Sequence, residues 1–275
     1  MITDIDWNKM WMESLENASW RKRHGDMTDF WDRRAERYSE SIKENDRALR
    51  VISRLKIDPE WTVLDIGSGP GTLAVPLARI ARAVTAVDPS TGMLSCLKQN
   101  AREAGVTNIE CINKRWEDVV SFDDLDEHDI LIASYSLAML DMKAALSKMN
   151  QLAKKYVYLF TFAGGRMWDY DKLWPRLYGA EYLPGPDYIY IYNILYNMGI
   201  RANVEITKTE HKQRFSSLDE AVKRWAENLD ADSPESEKII RSYLSETLVE
   251  NNGELWSRSM MESAMIWWRK DHEDE

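Results

Sequence analysis

The chain predicts a doubly wound α/β fold built on a mostly parallel sheet. Three observations carry this expectation. Short aliphatic and β-branched runs alternate with segments of helical periodicity between residues 62 and 162. One of these runs, Ile130 to Ala133, contains no polar residue, as expected for a strand covered on both faces. The first run ends in an acid and a glycine-rich turn, Val63-Leu64-Asp65-Ile66-Gly67-Ser68-Gly69-Pro70-Gly71-Thr72.

Ahead of the first strand, three segments place apolar residues at helical spacing. Residues 4–16 align Trp7, Met10, Trp11 and Leu15; residues 27–38 gather Phe30, Trp31, Arg34, Ala35 and Tyr38; residues 40–55 carry Ile42, Leu49, Ile52 and Leu55. They predict a helical N-terminal cap over residues 1–55, part of the same domain as residues 56–275. Seven strands are expected, at about 62–66, 83–87, 109–113, 130–133, 156–162, 202–209 and 260–268.

A helix is expected from Leu73 to Ile80, with the positive end of its dipole facing the glycine turn. Ser90 caps the next helix, which turns Met93, Leu94 and Leu97 inward and stops near Gly105. Further helices fall at about 142–154 and 188–198. Between strand and helix, residues 164–186 hold Trp168, Tyr170, Trp174, Tyr178 and Tyr182. They are expected to form a loop of the length that serves as a lid or binding loop. Ser217-Leu218-Asp219-Glu220 is a capping box and Ser233-Pro234 a second helix start, which together predict a helical insertion at about 217–250.

Composition bounds the function. The 275 residues fit one large domain, and a net charge of −10 argues against non-specific nucleic-acid binding. No apolar run reaches the roughly 18 residues of a membrane span, and the first ten residues lack a secretion signal pattern. Two cysteines, Cys96 and Cys111, predict a reducing, cytoplasmic setting. No metal site is expected: the cysteines are not at ligand spacing, and Asp123-Asp124-x-Asp126-Glu127 lacks the glycine and last glutamate of a calcium loop. His24, His128 and His211 stand alone, without a motif, and are read as structural or exposed.

In Gly67-x-Gly69-x-Gly71, Thr72 stands where a dinucleotide fingerprint would want its third glycine. Val63 to Gly71 instead resembles motif I of the class I S-adenosylmethionine-dependent methyltransferases. Val84-Thr85-Ala86-Val87-Asp88-Pro89-Ser90 resembles their second motif, Arg115-Trp116-Glu117-Asp118 the segment around the adenine, and Asp129 to Leu140 the fourth-strand motif beside the transferred methyl. Trp31-Asp32-x-x-Ala35-x-x-Tyr38 resembles the N-terminal helix that closes over the cofactor.

The resemblance implies a Rossmann-like fold, S-adenosyl-L-methionine as methyl donor and S-adenosyl-L-homocysteine as product. It implies that Asp65 meets the ammonium group and that Gly67, Ser68 and Gly69 line the methionine part. It places Asp88 on the ribose hydroxyls with Pro89 beside it, Met93 on the adenine, and Tyr38 on the cofactor from the cap. One carboxylate suits two adjacent hydroxyls, which agrees with that role for Asp88. Arg115 stands where many relatives have an acid that accepts from the adenine amino group, so the contact passes to Trp116 backbone or to Glu117. Ser134, after the fourth strand, joins the cofactor-binding residues, and Tyr135 lies at the reacting end as a group that orients the acceptor rather than a base.

The function expected is methyl transfer to a small-molecule acceptor. A protein side chain is the alternative acceptor, and a non-catalytic cofactor-binding protein of the same fold the alternative class. A nicotinamide oxidoreductase is disfavoured by Thr72 and by residues 115–118. The acceptor pocket is expected at the C-terminal edge of the sheet, walled by the N-terminal helices, residues 164–186 and the helices at 217–250. The Trp and Tyr residues there either face an apolar or cationic acceptor or pack the inserted helices.

Overall fold

The computed structural model describes residues 5–25, 27–43, 47–164 and 170–270. Five short helices precede the sheet: α1 Trp7–Asn17, α2 Ser19–His24, α3 Met27–Asp32, α4 Ala35–Lys43 and α5 Arg47–Ile52. Then come β1 Thr62–Ile66, α6 Ala74–Leu77, β2 Ala83–Val87, α7 Thr91–Ala104, β3 Ile109–Ile112, β4 His128–Ser134, α8 Met142–Leu152 and β5 Ala153–Phe162. The remainder comprises α9 Tyr170–Tyr178, α10 Tyr188–Asn197, β6 Asn203–Phe215, α11 Leu218–Leu229, α12 Pro234–Thr247, β7 Val249–Asn251 and β8 Glu254–Arg269.

The sheet runs β3-β2-β1-β4-β5-β8-β6, with β7 paired to β8. β1 to β5 are mutually parallel, and β8 is antiparallel to both β5 and β6. The strand order reverses between β1 and β4, which opens a crevice at their C-terminal ends. The expected seven-stranded, doubly wound, Rossmann-like sheet is present, extended by the three-residue β7.

Alternate residues of the strands feed two cores. Leu64, Ile66, Leu131, Val157 and Ile266 face α1, α8 and α10, and Val63, Val84, Ile130, Ile132 and Phe160 face α6 and α7. A third core, away from the parallel strands, joins α9, α11 and α12 around Leu173, Trp174, Phe215, Trp225 and Leu244. Among the described residues no helix is long and apolar enough to cross a membrane.

Several elements differ from expectation. The helix at 73–80 is a single regular turn, α6; Pro76 lacks the N–H that would extend it, although Val75 and Ala81 still donate to Gly71 and Leu77. The segment at 27–38 breaks between α3 and α4 at Arg33 and Arg34, and that at 40–55 divides into the end of α4 and α5. Residues 164–186 are not one loop: α9 forms despite Pro175 because Leu173, Trp174 and Leu177 enter the third core. Trp168 lies outside the described residues.

The expected strands at 202–209 and 260–268 are longer, as β6 and β8. β5 ends at the Phe162–Ser263 rung, whereas β6 and β8 stay paired to Phe215–Leu255. The two strands therefore rise about 25 Å beyond the C-terminal edge of the parallel sheet.

Candidate active site

The glycine turn is fastened to the end of β2. The N–H groups of Gly67 and Ser68 both donate to Val87 O, at 2.8 and 3.2 Å. Gly67 and Gly69 lie in the left-handed region, at φ 68° and 55°. A Cβ on Gly67 would collide with Ser136, whereas one on Gly69 would meet nothing within 4 Å. The turn is thus closed on its Gly67 side and open at Gly69.

Two acids line this turn. Asp88 accepts from Gly69 N–H at 2.8 Å through Oδ2 and from Ser90 N–H at 2.9 Å through Oδ1. Burial pushes its carboxyl up, the two N–H donors pull it down, and Asp32 adds a further upward push. Asn113 fixes the loop by donating to the carbonyls of Asp88 and Pro89. Asp65, 2% exposed, is pushed up to about 7, by burial first and by Asp88 second. Its Oδ2 and the hydroxyl of Ser68 are buried without a partner.

The cap docks on the head of α7. Asp32 Oδ1 accepts from Ser90 Oγ at 2.5 Å and from Gly92 N–H at 2.9 Å. Gly92 permits this approach, since a Cβ there would sit 3.2 Å from Asp32 O and Ala35 Cβ. Asn100 donates to Ser39 Oγ and to Pro70 O, which ties α4 to α7 and to the glycine turn. Tyr38, half-buried on α4, stands edge-on to Trp31 at 5.3 Å.

Register brings the end of β4 beside the turn, because Ala133 pairs with Ile66 and Ser134 follows. Tyr135 has φ 55°, donates its N–H to Phe160 O, and its hydroxyl hydrogen-bonds Ser263 Oγ at 2.6 Å. Its ring meets Phe162 at 4.9 Å. Ser136 Oγ donates to Ile66 O at 2.5 Å.

A family model described as a methyltransferase domain matches residues 63–156. A protein of Haemophilus influenzae, described as uncharacterized, is 30% identical over 244 residues, 88% of this chain and 89% of that one. The chain belongs to the class I S-adenosylmethionine-dependent methyltransferase superfamily. It is an S-adenosylmethionine-dependent methyltransferase. A ubiquinone biosynthesis O-methyltransferase from Methylobacterium is 42% identical over 65 residues, 22% of this chain and 26% of its own. The YcgJ protein from Bacillus subtilis shares the fold with a TM-score of 0.57 at 15% identity, over 83% of this chain and 100% of that one.

The residues of this methyltransferase fit its cofactor. An unpartnered buried carboxylate oxygen suits an ammonium group, and the open face at Gly69 leaves room for a ligand against the backbone. Asp88 keeps unused lone pairs on both oxygens for hydroxyl donors. Asp65, Gly67, Ser68, Gly69, Asp88, Pro89 and Met93 all gather at the ends of β1 and β2 and the head of α7, with Ser134 and Tyr135 beside them at the end of β4. Met93 is buried, its N–H on Ser90 Oγ.

Trp116 is expected to act through its backbone. Its indole is buried in the core under α8, donating to Ala145 O at 3.3 Å with Lys148 above the ring, so its side chain is turned away and Glu117 stands exposed. Three residues absent from the expected site contribute: Asp32, Ser90 and Ser136. Asp32 sat within a quoted motif and Ser90 was legible as a helix cap, but nothing local to Ser136 marks it.

Of the two readings of the aromatic residues, packing of the inserted helices is the one met by those described at 174–182 and 217–250. Trp174 and Trp225 are buried, and Tyr178, Tyr182 and Tyr243 pack with them in the third core. His128 is structural, held between Thr85 Oγ1 and Asp126 O.

Proposed function

We propose that this methyltransferase moves a methyl group from S-adenosyl-L-methionine to a small molecule held at the C-terminal edge of the sheet, leaving S-adenosyl-L-homocysteine. The observation that carries the cofactor half is the buried, unpartnered Oδ2 of Asp65 beneath the open turn at Gly69. In this reading Asp65 takes the ammonium group and the 67–69 backbone lines the methionine part. Asp88 accepts from the ribose hydroxyls beside Pro89. Met93, the Trp116 backbone and Glu117 border the adenine, and Tyr38 closes from the cap.

When bound, held by Asp65, the 67–69 backbone and Asp88, the cofactor would supply an electrophilic sulfonium methyl open to in-line displacement by the acceptor's lone pair. The protein's part is to align the acceptor and exclude water. In this reading Ser134 borders the cofactor and Tyr135 stands at the reacting end, where its hydrogen bond to Ser263 supports an orienting role. We also infer that the cap, residues 1–55, belongs to one domain with residues 56–275, supported by the contacts of Asp32, Ser39 and Arg34.

The test is calorimetric titration with S-adenosylmethionine, S-adenosylhomocysteine and NADH, alongside Asp88→Ala. Micromolar binding of both sulfur ligands, weakened at least about tenfold in the variant (about 1.4 kcal/mol), is expected. Failure of folded protein to bind either, or preference for NADH, overturns the reading.

A further inference from the structure

The extension of β6 and β8 beyond the sheet has two unlike faces. Antiparallel partners share a face, so the rungs from Thr207–Ser263 to Gln213–Ser257 define one side. Its eight positions hold three serines, two threonines, a histidine, a glutamine and a methionine, with no acid, lysine or arginine. The intervening rungs, Lys208–Glu262 to Arg214–Trp256, carry six charged residues in eight positions. Those charges pair with one another in solvent, as Lys208 does with Glu262 and Arg258 with Glu210.

The neutral face is partly covered. All its residues are half-buried or buried, and Gln213 Oε1 is buried without a partner. At its lower end Ser263 receives Tyr135, beside Phe162, which is 40% exposed on the same face. At its upper end Phe215 joins the third core, with Leu255 packed against it. α11, which follows β6, is tied to the cap by Arg34 and Arg23, which bind the carbonyls of Glu227, Leu229 and Asp230 at its end.

A core face would be apolar, because unmatched polar groups cost free energy when buried. A solvent face would look like the charged side of the same strands. Resting on the reading above, we propose that this face is the acceptor-binding wall and that it takes a neutral, hydroxyl- or carbonyl-bearing ring compound. Serine, threonine and glutamine match such groups as donors and acceptors, and Phe162 offers an aromatic surface to the ring. A charged acceptor would be desolvated against this wall without a counter-charge on it. Among the described residues, Trp174, Tyr178, Tyr182, Trp225 and Tyr243, which could have faced a cation, lie in the third core instead.

The test uses three matched probes on protein saturated with S-adenosylhomocysteine: 4-hydroxybenzyl alcohol, 4-hydroxybenzoate and 4-hydroxybenzylammonium. Calorimetry is expected to give at least tenfold tighter binding of the alcohol than of either charged probe. Thr209→Lys weakens the alcohol at least tenfold, Ser259→Asp shifts preference to the ammonium probe, and Lys212→Ser on the outer face changes neither. S-adenosylhomocysteine affinity, measured on the same samples, stays at the parent value in all three variants and reports their folding.

Equal or tighter binding of a charged probe overturns the proposal. So does absence of alcohol binding to the loaded protein, or indifference of the alcohol to Thr209→Lys and Ser259→Asp. Failure of the parent protein to bind S-adenosylhomocysteine removes the cofactor reading itself and this proposal with it.

Discussion

Ser136 lies directly over Gly67: a Cβ on the glycine would overlap Ser136 Cβ. Gly67 also holds φ 68°, so alanine there meets both a backbone penalty and an overlap. Gly67→Ala is expected to destabilise the protein by about 2–4 kcal/mol, read as a fall in denaturant midpoint. Removing the overlap with Ser136→Gly in the same chain should recover about 1 kcal/mol beyond additivity. Additive effects of the two substitutions would show that the contact is not the cause.

Asp65 predicts a pH dependence. Its native carboxyl is raised to about 7 from 3.8, chiefly by burial, so the native state holds a proton that the unfolded chain releases. Its contribution therefore grows less favourable as pH rises from about 4 to about 7, by up to about 4 kcal/mol. Asp65→Asn should lose this dependence, its stability advantage over the parent widening across that window. If an ammonium group binds Asp65, S-adenosylhomocysteine affinity rises with pH from 5.5 to 7 and binding releases a proton. Identical heats in buffers of different ionisation enthalpy would contradict this.

Asp32 couples the cap to α7 through two accepted hydrogen bonds. Asp32→Ala removes both and should cost about 1–2 kcal/mol. It should also weaken S-adenosylhomocysteine several-fold and speed proteolysis within residues 19–43. Asp32→Asn, which keeps an acceptor oxygen, should fall between. Equal behaviour of the two variants would mean that the carboxylate geometry is immaterial.

Asp230 latches the cap to α11. It accepts from Arg34 at 2.7 Å and pairs with His24 at 2.6 Å. Burial alone would raise Asp230, but its bonds to Arg34 and His24 hold it below the usual value; burial also lowers His24, outweighing Asp230. Both groups lose stability on acidification, since a depressed histidine resists protonation below about 6.5 and a depressed carboxyl resists it near and below 3.8. Amide protection at residues 19–34 and 218–230, measured relative to the intrinsic exchange rate at each pH, is expected to fall as pH falls from 7 to 5. Asp230→Ala should show that lowered protection already at pH 7.

The parallel half of the fold was legible because its signals are local. Ile130–Ala133 is apolar throughout, and α7 is bounded by Ser90, whose hydroxyl accepts from Met93 N–H, and by Gly105, at φ 69°, whose N–H donates to the Ala101 and Arg102 carbonyls. α9 was hidden because Pro175 and the nearby glycines argue against a helix, and only the third core outweighs them. The far half of β6 was hidden for another reason. Its alternation is between charged and neutral polar residues, not between polar and apolar ones, so hydrophobic periodicity fades after Thr209 while pairing continues. At the site, motif spacing located Asp65 and Asp88 but could not say which way the Trp116 indole turns. Asp32 and Ser136 act through space, at separations no spacing rule encodes.

The pairing of β5 with β8 sets the order of assembly. Phe162 and Ser263 are 101 positions apart in sequence, whereas β1 to β5 are joined by short crossovers. Closing so long a loop is entropically costly and slow. Until β8 arrives, the edge of β5 presents the unpaired backbone of Tyr156 to Phe160, the kind of edge on which chains aggregate. A chain truncated before residue 254 keeps its glycine turn and both its acids, yet leaves that edge open. Translation or expression halted there yields insoluble material rather than a smaller enzyme.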